Sequence, residues 1–252
     1  MNPLLARGGS VEYHAELSST NARALELAAD ACARLPALIV AERQTTGRGR
    51  GANRWWSSTG ALTFSLLLDA GEHRLPQACW PLVSLAAALA IGESLQERLP
   101  ADSVQLKWPN DVYLNKRKVC GILVESPPVR PARLIVGIGI NVNNSLAEAP
   151  EDVRHKATSL CDEVGQSLDR EQVLEHVVDR FLREVDAIAE LSSTLVARWS
   201  PVCLLSHKTV HIDCDVRQVI GRCGGIDSSG ALLVETAAGI ARLYAGVVKE
   251  WQ

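Results

Sequence analysis

From Ala132 to Val142 the chain reads "ARLIVGIGINV", the most apolar strand-length run in its 252 residues. Such a run has no polar face to give to water, so it belongs in the middle of a sheet covered on both sides. Shorter apolar segments fit beside it: "ALIVAE" at 37–42, "ALTFSLLL" at Ala61–Leu68 and "VQLKW" at 104–108. "VYLNKRKVCGILVE" predicts a hairpin turning at Asn115–Arg117. Helices supply the cover. "STNARALELAADACARL", Ser19–Leu35, has Ser19 or Thr20 as N-cap, apolar positions at Leu25, Ala28, Cys32 and Leu35, and Pro36 as its terminator. "WPLVSLAAALAIGESLQERL", Trp80–Leu99, reads as a mostly buried helix. Another starts at Asp169, with Gln172 completing a capping-box-like pattern, and runs to Leu191 with Leu174, Val177, Phe181, Val185 and Ile188 on one face. Residues before Ser19 read as a short arm. The expected fold class is α/β, a central mixed sheet with flanking helices.

The pattern changes from Lys208 onward. "KTVHI", "RQVIG", "ALLVET" and "IARLYAG" are strand-length pieces separated by turn signals such as "DSSG" and "AAG". A segment of ~45 residues of that kind predicts a small barrel. Pro201 lies near the boundary, so the expected division is 1–203 for the larger domain and 204–252 for the barrel.

Hydrophobic residues make up 47 % and charged ones 22 %, which excludes a disordered chain. A net charge of -3 argues against a general nucleic-acid binder, so any phosphate recognition has to be local. The seven cysteines are dispersed and mostly in apolar surroundings, and they read as reduced core thiols of a cytosolic protein. "MNPLLARGGSVEYH" lacks the apolar run of a secretory signal, and no later stretch reads as the ~20 apolar residues of a membrane span. A cytoplasmic location without membrane contact is expected.

Between two predicted strands lies "GRGRGANRWW", Gly47–Trp56. Glycines let consecutive backbone N–H groups converge on an anion, and arginine forks make bidentate contacts to phosphate or carboxylate oxygens. It is neither a Walker A loop, since no Gly-Lys-Ser/Thr follows, nor a dinucleotide fingerprint, since it leads into no helix. On its own it suits a nucleotide phosphate, a nucleic acid strand or plain solvent. In "KWPNDVYLNKRKVCGILVE", a strand end delivers Lys107, Asn110 and Asp111, and the returning hairpin brings Lys118 just ahead of an apolar strand containing Gly121. A lysine at the mouth of a sheet can neutralise charge developing on a phosphorus or carboxylate oxygen. Lys116 reads as an ordinary charged turn residue.

In order along the chain, "STN" at Ser19–Asn21, "QTTGRGR" at Gln44–Arg50, "KWPNDVYL" at Lys107–Leu114, "RKVCGILVE" at Arg117–Glu125 and "GIGINV" at Gly137–Val142 resemble the motif series of the biotin protein ligases. The resemblance implies a class II aminoacyl-tRNA synthetase-like sheet domain followed by an SH3-like barrel. It implies two-step acyl transfer: biotin's carboxylate attacks the α-phosphate of ATP, giving biotinyl-5'-AMP and pyrophosphate, and a lysine of a biotin carboxyl carrier protein then takes the biotinyl group. By that resemblance Ser19, Thr20, Asn21 and Gln44 meet the polar end of biotin, and Gly47, Arg48, Gly49 and Arg50 close over it. Gly121, Gly137 and Gly139 line its pocket. Lys118 is the catalytic lysine, drawing two anions together with Arg48 and Arg50. Lys107, Asn110, Asp111 and Asn141 lie on the adenylate side, Asp111 orienting or deprotonating the incoming amine, with Trp55 covering the adenine. Magnesium accompanies ATP, and no protein cage for a metal is expected. Edge strands admit a homodimer.

The loop departs from the family pattern, with Ala52 and Asn53 where Gly and Arg are common, so its third charge moves to Arg54. Lacking more than ~15 residues before the first motif, the chain is expected to be of the type without the helix-turn-helix domain that makes some members repressors, and DNA binding is not expected. Cys203, His207, His211 and Cys214 show C-x3-H-x3-H-x2-C spacing, but strand alternation sends His211 and Cys214 to opposite faces, so no zinc site is expected. Alternatives are a lipoate or octanoate ligase, which shares the architecture by resemblance, or a non-enzymatic biotin- or RNA-binding module.

Overall fold

The structure, a computed structural model, describes residues 3–100, 102–130, 132–214 and 217–252. After a helical turn, α1 (Pro3–Ala6), the chain lays down β1 (Ser10–Leu17), α2 (Thr20–Ala29), β2 (Ala37–Gln44), β3 (Leu62–Asp69), α3 (Trp80–Gln96), β4 (Val104–Lys107), β5 (Asp111–Leu114), β6 (Arg117–Glu125) and β7 (Arg133–Ile140). The strands form one seven-stranded sheet in the order β1-β2-β3-β7-β6-β5-β4. β1 and β2 are parallel and every other pair is antiparallel, so the sheet is mixed as expected. The run at 133–140 is β7, central in that order and buried along its whole length.

Strand alternation divides the cover. Leu62, Phe64, Leu66 and Leu68 of β3 join Val136, Ile138 and Ile140 of β7 in the large core beneath α3 and α6 (Arg170–Trp199). On the opposite face Leu67, Ile39 and Ile135 meet Ala24 and Ala28 of α2 in a smaller cluster. α3 is buried nearly all round between the sheet and α6. The stretch 77–96 is in fact long and apolar enough to cross a membrane by composition, which corrects the expectation, and its apolar character is spent inside this core. Asp169 caps α6, its carboxylate accepting from the backbone N–H groups of Glu171 at 2.9 Å and Gln172 at 3.3 Å. The expected end at Leu191 is a kink, φ -121 and ψ 30, beyond which the helix resumes to Trp199.

Two short helices, α4 (Glu151–Arg154) and α5 (Leu160–Val164), follow the large sheet. β8 (Thr209–Asp213), β9 (Gln218–Ile226), β10 (Leu232–Thr236), β11 (Gly239–Leu243) and β12 (Val247–Trp251) make a five-stranded antiparallel sheet in the order β11-β10-β9-β8-β12. Its apolar residues Val210, Ile212, Leu232 and Val248 belong to the same core cluster as α3 and α6. Direct bonds tie the two sheets: Leu204 N–H donates to the Leu106 carbonyl at 2.8 Å, and Trp108 Nε1–H to the Gly230 carbonyl at 3.2 Å.

Several sequence expectations change. The buried face of α2 is Thr20, Asn21, Ala24 and Ala28, which leaves Leu25 on its solvent side, and the helix ends at Ala29, before the exposed Cys32. The short arm contains a full edge strand, β1, and β12 was not anticipated. Both are charge-bearing edges whose pattern carries no apolar run. All seven cysteines are free thiols, with Cys120, Cys203 and Cys223 buried. His211 stands 3.7 Å from Glu250, and Asp215 and Val216 of the stretch "KTVHIDCDV" lie outside the described residues.

Phe181→Ala, which empties a fully buried position between α6 and α3, should cost about 3–5 kcal/mol in urea denaturation. Leu25→Ala, at a position 41 % exposed, should stay within about 0.5 kcal/mol of the parent.

Candidate active site

The face of the large sheet that carries α2 is apolar at one end and almost bare at the other. Register explains the bareness. Lys107 of β4 pairs with Asp111 of β5, Asp111 with Gly121 of β6, Gly121 with Gly139 of β7, and Gly139 with Thr63 of β3. The next row on the same face reads Leu123, Gly137, Ser65. Three glycines at the centre of two adjacent rows leave a cavity of about 370 Å³. A Cβ at Gly137 would overlap the Asn21 amide, and one at Gly139 would overlap the Trp55 indole, so neither position has room for a side chain.

One end of the cavity is a polar cluster at the start of α2. Thr20 N–H donates to Gln44 Oε1 at 2.7 Å, which satisfies a helix N-terminal amide, while Ser19 makes no side-chain capping bond and lines the cavity. Ser65 Oγ donates to Asn21 Oδ1 at 2.6 Å and lies 2.7 Å from Thr20 Oγ1. Asn21 Nδ2 donates to Glu125 Oε2 at 2.7 Å, and the same oxygen takes the Arg48 guanidinium at 2.7 Å. Ser65 and Glu125 were not anticipated. Alternation along β6 from Gly121 could have found Glu125, whereas Ser65 is located by its pairing with Gly137 of β7.

At the other end Lys118 Nζ sits 2.6 Å from Asp111 Oδ1. Strict alternation would send Lys118 to the core side with Cys120. A register shift between Val112 and Tyr113 inserts an extra residue into β6: Val119 and Cys120 are both buried and Lys118 turns to the cavity. A Cβ at Gly121 would stand 3.2 Å from Lys118 Nζ and 3.3 Å from Trp55, so lysine and indole meet above that glycine. The segment after α4 fixes the bulge, since Lys118 N–H donates to the Lys156 carbonyl and Thr158 N–H to the Lys118 carbonyl.

The loop 47–56 is a small hairpin over this floor. Gly49 N–H donates to the Asn53 carbonyl at 2.8 Å, Trp55 N–H to the Gly47 carbonyl at 3.0 Å, and Asn53 Nδ2 to the Arg50 carbonyl at 2.9 Å. Arg48 and Arg50 line the cavity, and Arg50 donates to the Gly246 carbonyl of the second sheet at 2.7 Å. Arg54 lines it as well, so the displaced third charge still faces inward. Two expectations shift. Gly47 stands off the cavity and closes the base of the hairpin, because a Cβ there would press on the Trp55 carbonyl. Trp55 lies on the glycine floor itself, its Nε1 buried with no acceptor among the described residues.

Lys107, Asn110, Asp111 and Asn141 also line the cavity. The Asn110 and Asn141 amides are committed to backbone, to the Ile122 carbonyl at 2.6 Å and the Thr158 carbonyl at 3.0 Å. These bonds tie both side chains into the cavity wall. Lys107 is 9 % exposed and burial holds its pKa below the usual lysine range, the Asp111 carboxylate opposing this and the Lys118 ammonium adding to it.

An unfolded lysine keeps its proton to higher pH than this one, so the parent gains stability as pH rises through the lowered Lys107 pKa. Lys107→Met should therefore melt about 2 °C higher at neutral pH, on the order of 1 kcal/mol, with that advantage shrinking at alkaline pH in thermal scans.

The motif segments that are far apart in sequence thus surround one cavity, and the chain is similar to known proteins. The biotin/lipoate A/B protein ligase family matches residues 15–143, about half of the chain. The bifunctional ligase/repressor BirA of Bacillus subtilis is 32% identical over 246 residues, covering 96% of this chain and 74% of its own length. The biotin--[acetyl-CoA-carboxylase] ligase of Paracoccus denitrificans is 34% identical, with 89% of this chain and 94% of that protein covered. Among solved structures, the biotin protein ligase from Aquifex aeolicus in complex with biotin and ATP superposes with a TM-score of 0.79 at 30% identity, covering 96% of this chain and 98% of the other. Matches of that extent mean that the chain belongs to the biotin/lipoate A/B protein ligase family.

Proposed function

We propose that this chain is an ATP-dependent biotin protein ligase, which activates biotin as biotinyl-5'-AMP and transfers it to a lysine of a biotin carboxyl carrier protein. The observation that carries the reading is the Lys118–Asp111 pair at the wall of the cavity that also takes Arg48 and Arg50. Adenylation brings two anions together, a carboxylate and a triphosphate, and its barrier falls if fixed cations offset their repulsion. Lys118 is the central cation, with the arginines of the loop on the carboxylate and phosphate oxygens.

The polar cluster at Ser19, Thr20, Asn21, Gln44 and Ser65 suits a ureido group, which needs donors and acceptors on a small rigid ring. Gly121, Gly137 and Gly139 leave the backbone bare where the Trp55 indole and the Asn21 amide pack against it, so a bicyclic ring would meet that indole, in place of the adenine-side role expected for Trp55. In the second step the carrier lysine, as a free amine, attacks the acyl carbon and AMP leaves. Asp111 is the base nearest that end of the cavity. On this reading magnesium would come with the nucleotide, its charge shielding the phosphates during attack.

We read the seven-stranded part, 1–203, as a class II synthetase-like catalytic domain, and 204–252 as an SH3-like barrel that completes the cavity. The cytoplasm, where carboxylase carriers and ATP meet, is the expected place of work, with β1 as the edge through which a homodimer would pair.

Incubating the protein with biotin and α-labelled ATP should give a biotin-dependent adenylate, and Lys118→Ala should slow its formation by about 10²–10³. An unslowed Lys118→Ala would sink the assigned role, and calorimetry showing lipoate bound with biotin ignored would overturn the substrate. Asp111→Asn should slow transfer to the carrier by about 10² while slowing adenylation less, in single-turnover measurements of each step.

A further inference from the structure

Lys107 ends β4 at the cavity wall, yet its ammonium has no hydrogen bond or ion pair to another described residue. Its neighbours are rings. Nζ lies 4.4 Å from the ring centroid of Trp251, which ends β12 of the second sheet, and 5.9 Å from that of Tyr113 on β5. The two rings meet edge to face, centroids 6.4 Å apart at 87°, so each fixes the other's orientation. An ammonium at 9 % exposure that made no such contact would be costly, and an aromatic face returns part of its lost hydration without occupying its N–H donors. The donors therefore stay available to an anion entering the cavity.

We propose that Trp251 is a positioning residue for the nucleotide: its ring, braced by Tyr113, holds the Lys107 ammonium aimed at a phosphate group, so the last strand of the chain completes the ATP side of the site. This rests on the ligase reading given above. Lys107 on β4 and Gly137 on β7 are three strand spacings apart, roughly 14 Å, so a change at Trp251 acts on the nucleotide end and leaves the polar cluster around Asn21 untouched. Tryptophan offers a cation the strongest ring face, and phenylalanine a weaker one of the same kind.

The test compares Trp251→Leu and Trp251→Phe with the parent by biotin-dependent pyrophosphate release, together with calorimetric binding of biotin alone. Loss of the ring should raise KM for ATP about tenfold in Trp251→Leu, and Trp251→Phe should return it to within about threefold. The Kd for biotin should stay within about twofold of the parent, since no biotin-side group is touched. An unchanged KM for ATP in Trp251→Leu, a parallel rise in the biotin Kd, or a Phe variant as impaired as the Leu variant would overturn the proposal.

If Trp251→Leu fails to fold, a double-mutant cycle decides. Trp251→Phe should weaken ATP in the parent and have no further effect in Lys107→Met, and an equal effect in both backgrounds overturns the coupling. Should the parent release no pyrophosphate with biotin, the ligase reading falls separately. The comparison then moves to calorimetric binding of ATP with magnesium, where an unchanged Kd in Trp251→Leu overturns the role assigned to Trp251.

Discussion

Three positions without side chains on one face of the large sheet hold the site open. Gly121 and Gly139 are paired neighbours, and Gly137 lies in the next row on the same face. A methyl group at either of the last two would push into Asn21 or Trp55. The core below them is packed with Val136, Ile138 and Ile140, which alternate with those glycines along β7. One strand therefore does two jobs, filling the core with one set of residues and emptying the cavity with the other. Everything else in the site is arranged around that floor: the polar cluster of α2 at one end, the lysines and Asp111 at the other, and the loop above.

Charge is local here in a way that totals hide. The chain carries a net charge of -3, yet Lys107, Lys118, Arg48, Arg50 and Arg54 converge on one cavity. Asp111 and Glu125 stand among them, each in contact with one of the cations. A cavity wall shared by two sheets makes this possible, because Gly246, Val247 and Val248 of the second sheet close a side that the first leaves open. Arg50 is bonded to the Gly246 carbonyl, so the loop's position depends on where the second sheet sits.

Much of this was legible in the sequence, for physical reasons. The central strand, the α3 and α6 helices and the hairpin announced themselves through burial pattern and capping, which are local. The glycine and arginine loop and the Lys107–Glu125 segment were legible as anion chemistry, and their order along the chain carried the resemblance. What local pattern could not supply was register. The extra residue at Val119 decides which face Lys118 takes, and it arises from pairing with β5 and the support of Lys156 and Thr158. Trp251 reaches Lys107 through tertiary packing of an end segment that carried no strand signal. Leu25 lies on the solvent side of α2, whose sheet-facing side is Ala24 and Ala28, and Cys32 falls beyond the helix end at Ala29.

Asn53 closes the turn of the loop by donating its amide to the Arg50 carbonyl. A loop of glycines and like charges would ordinarily surrender a good deal of conformational entropy when it orders around a ligand, at about 1–2 kcal/mol for each residue fixed. Here part of that loss falls on folding instead, through a hydrogen bond internal to the loop. The third charge is kept at Arg54 on the cavity side, so the amide adds preorganisation to the loop without removing a cation, and less ordering remains for a ligand to impose.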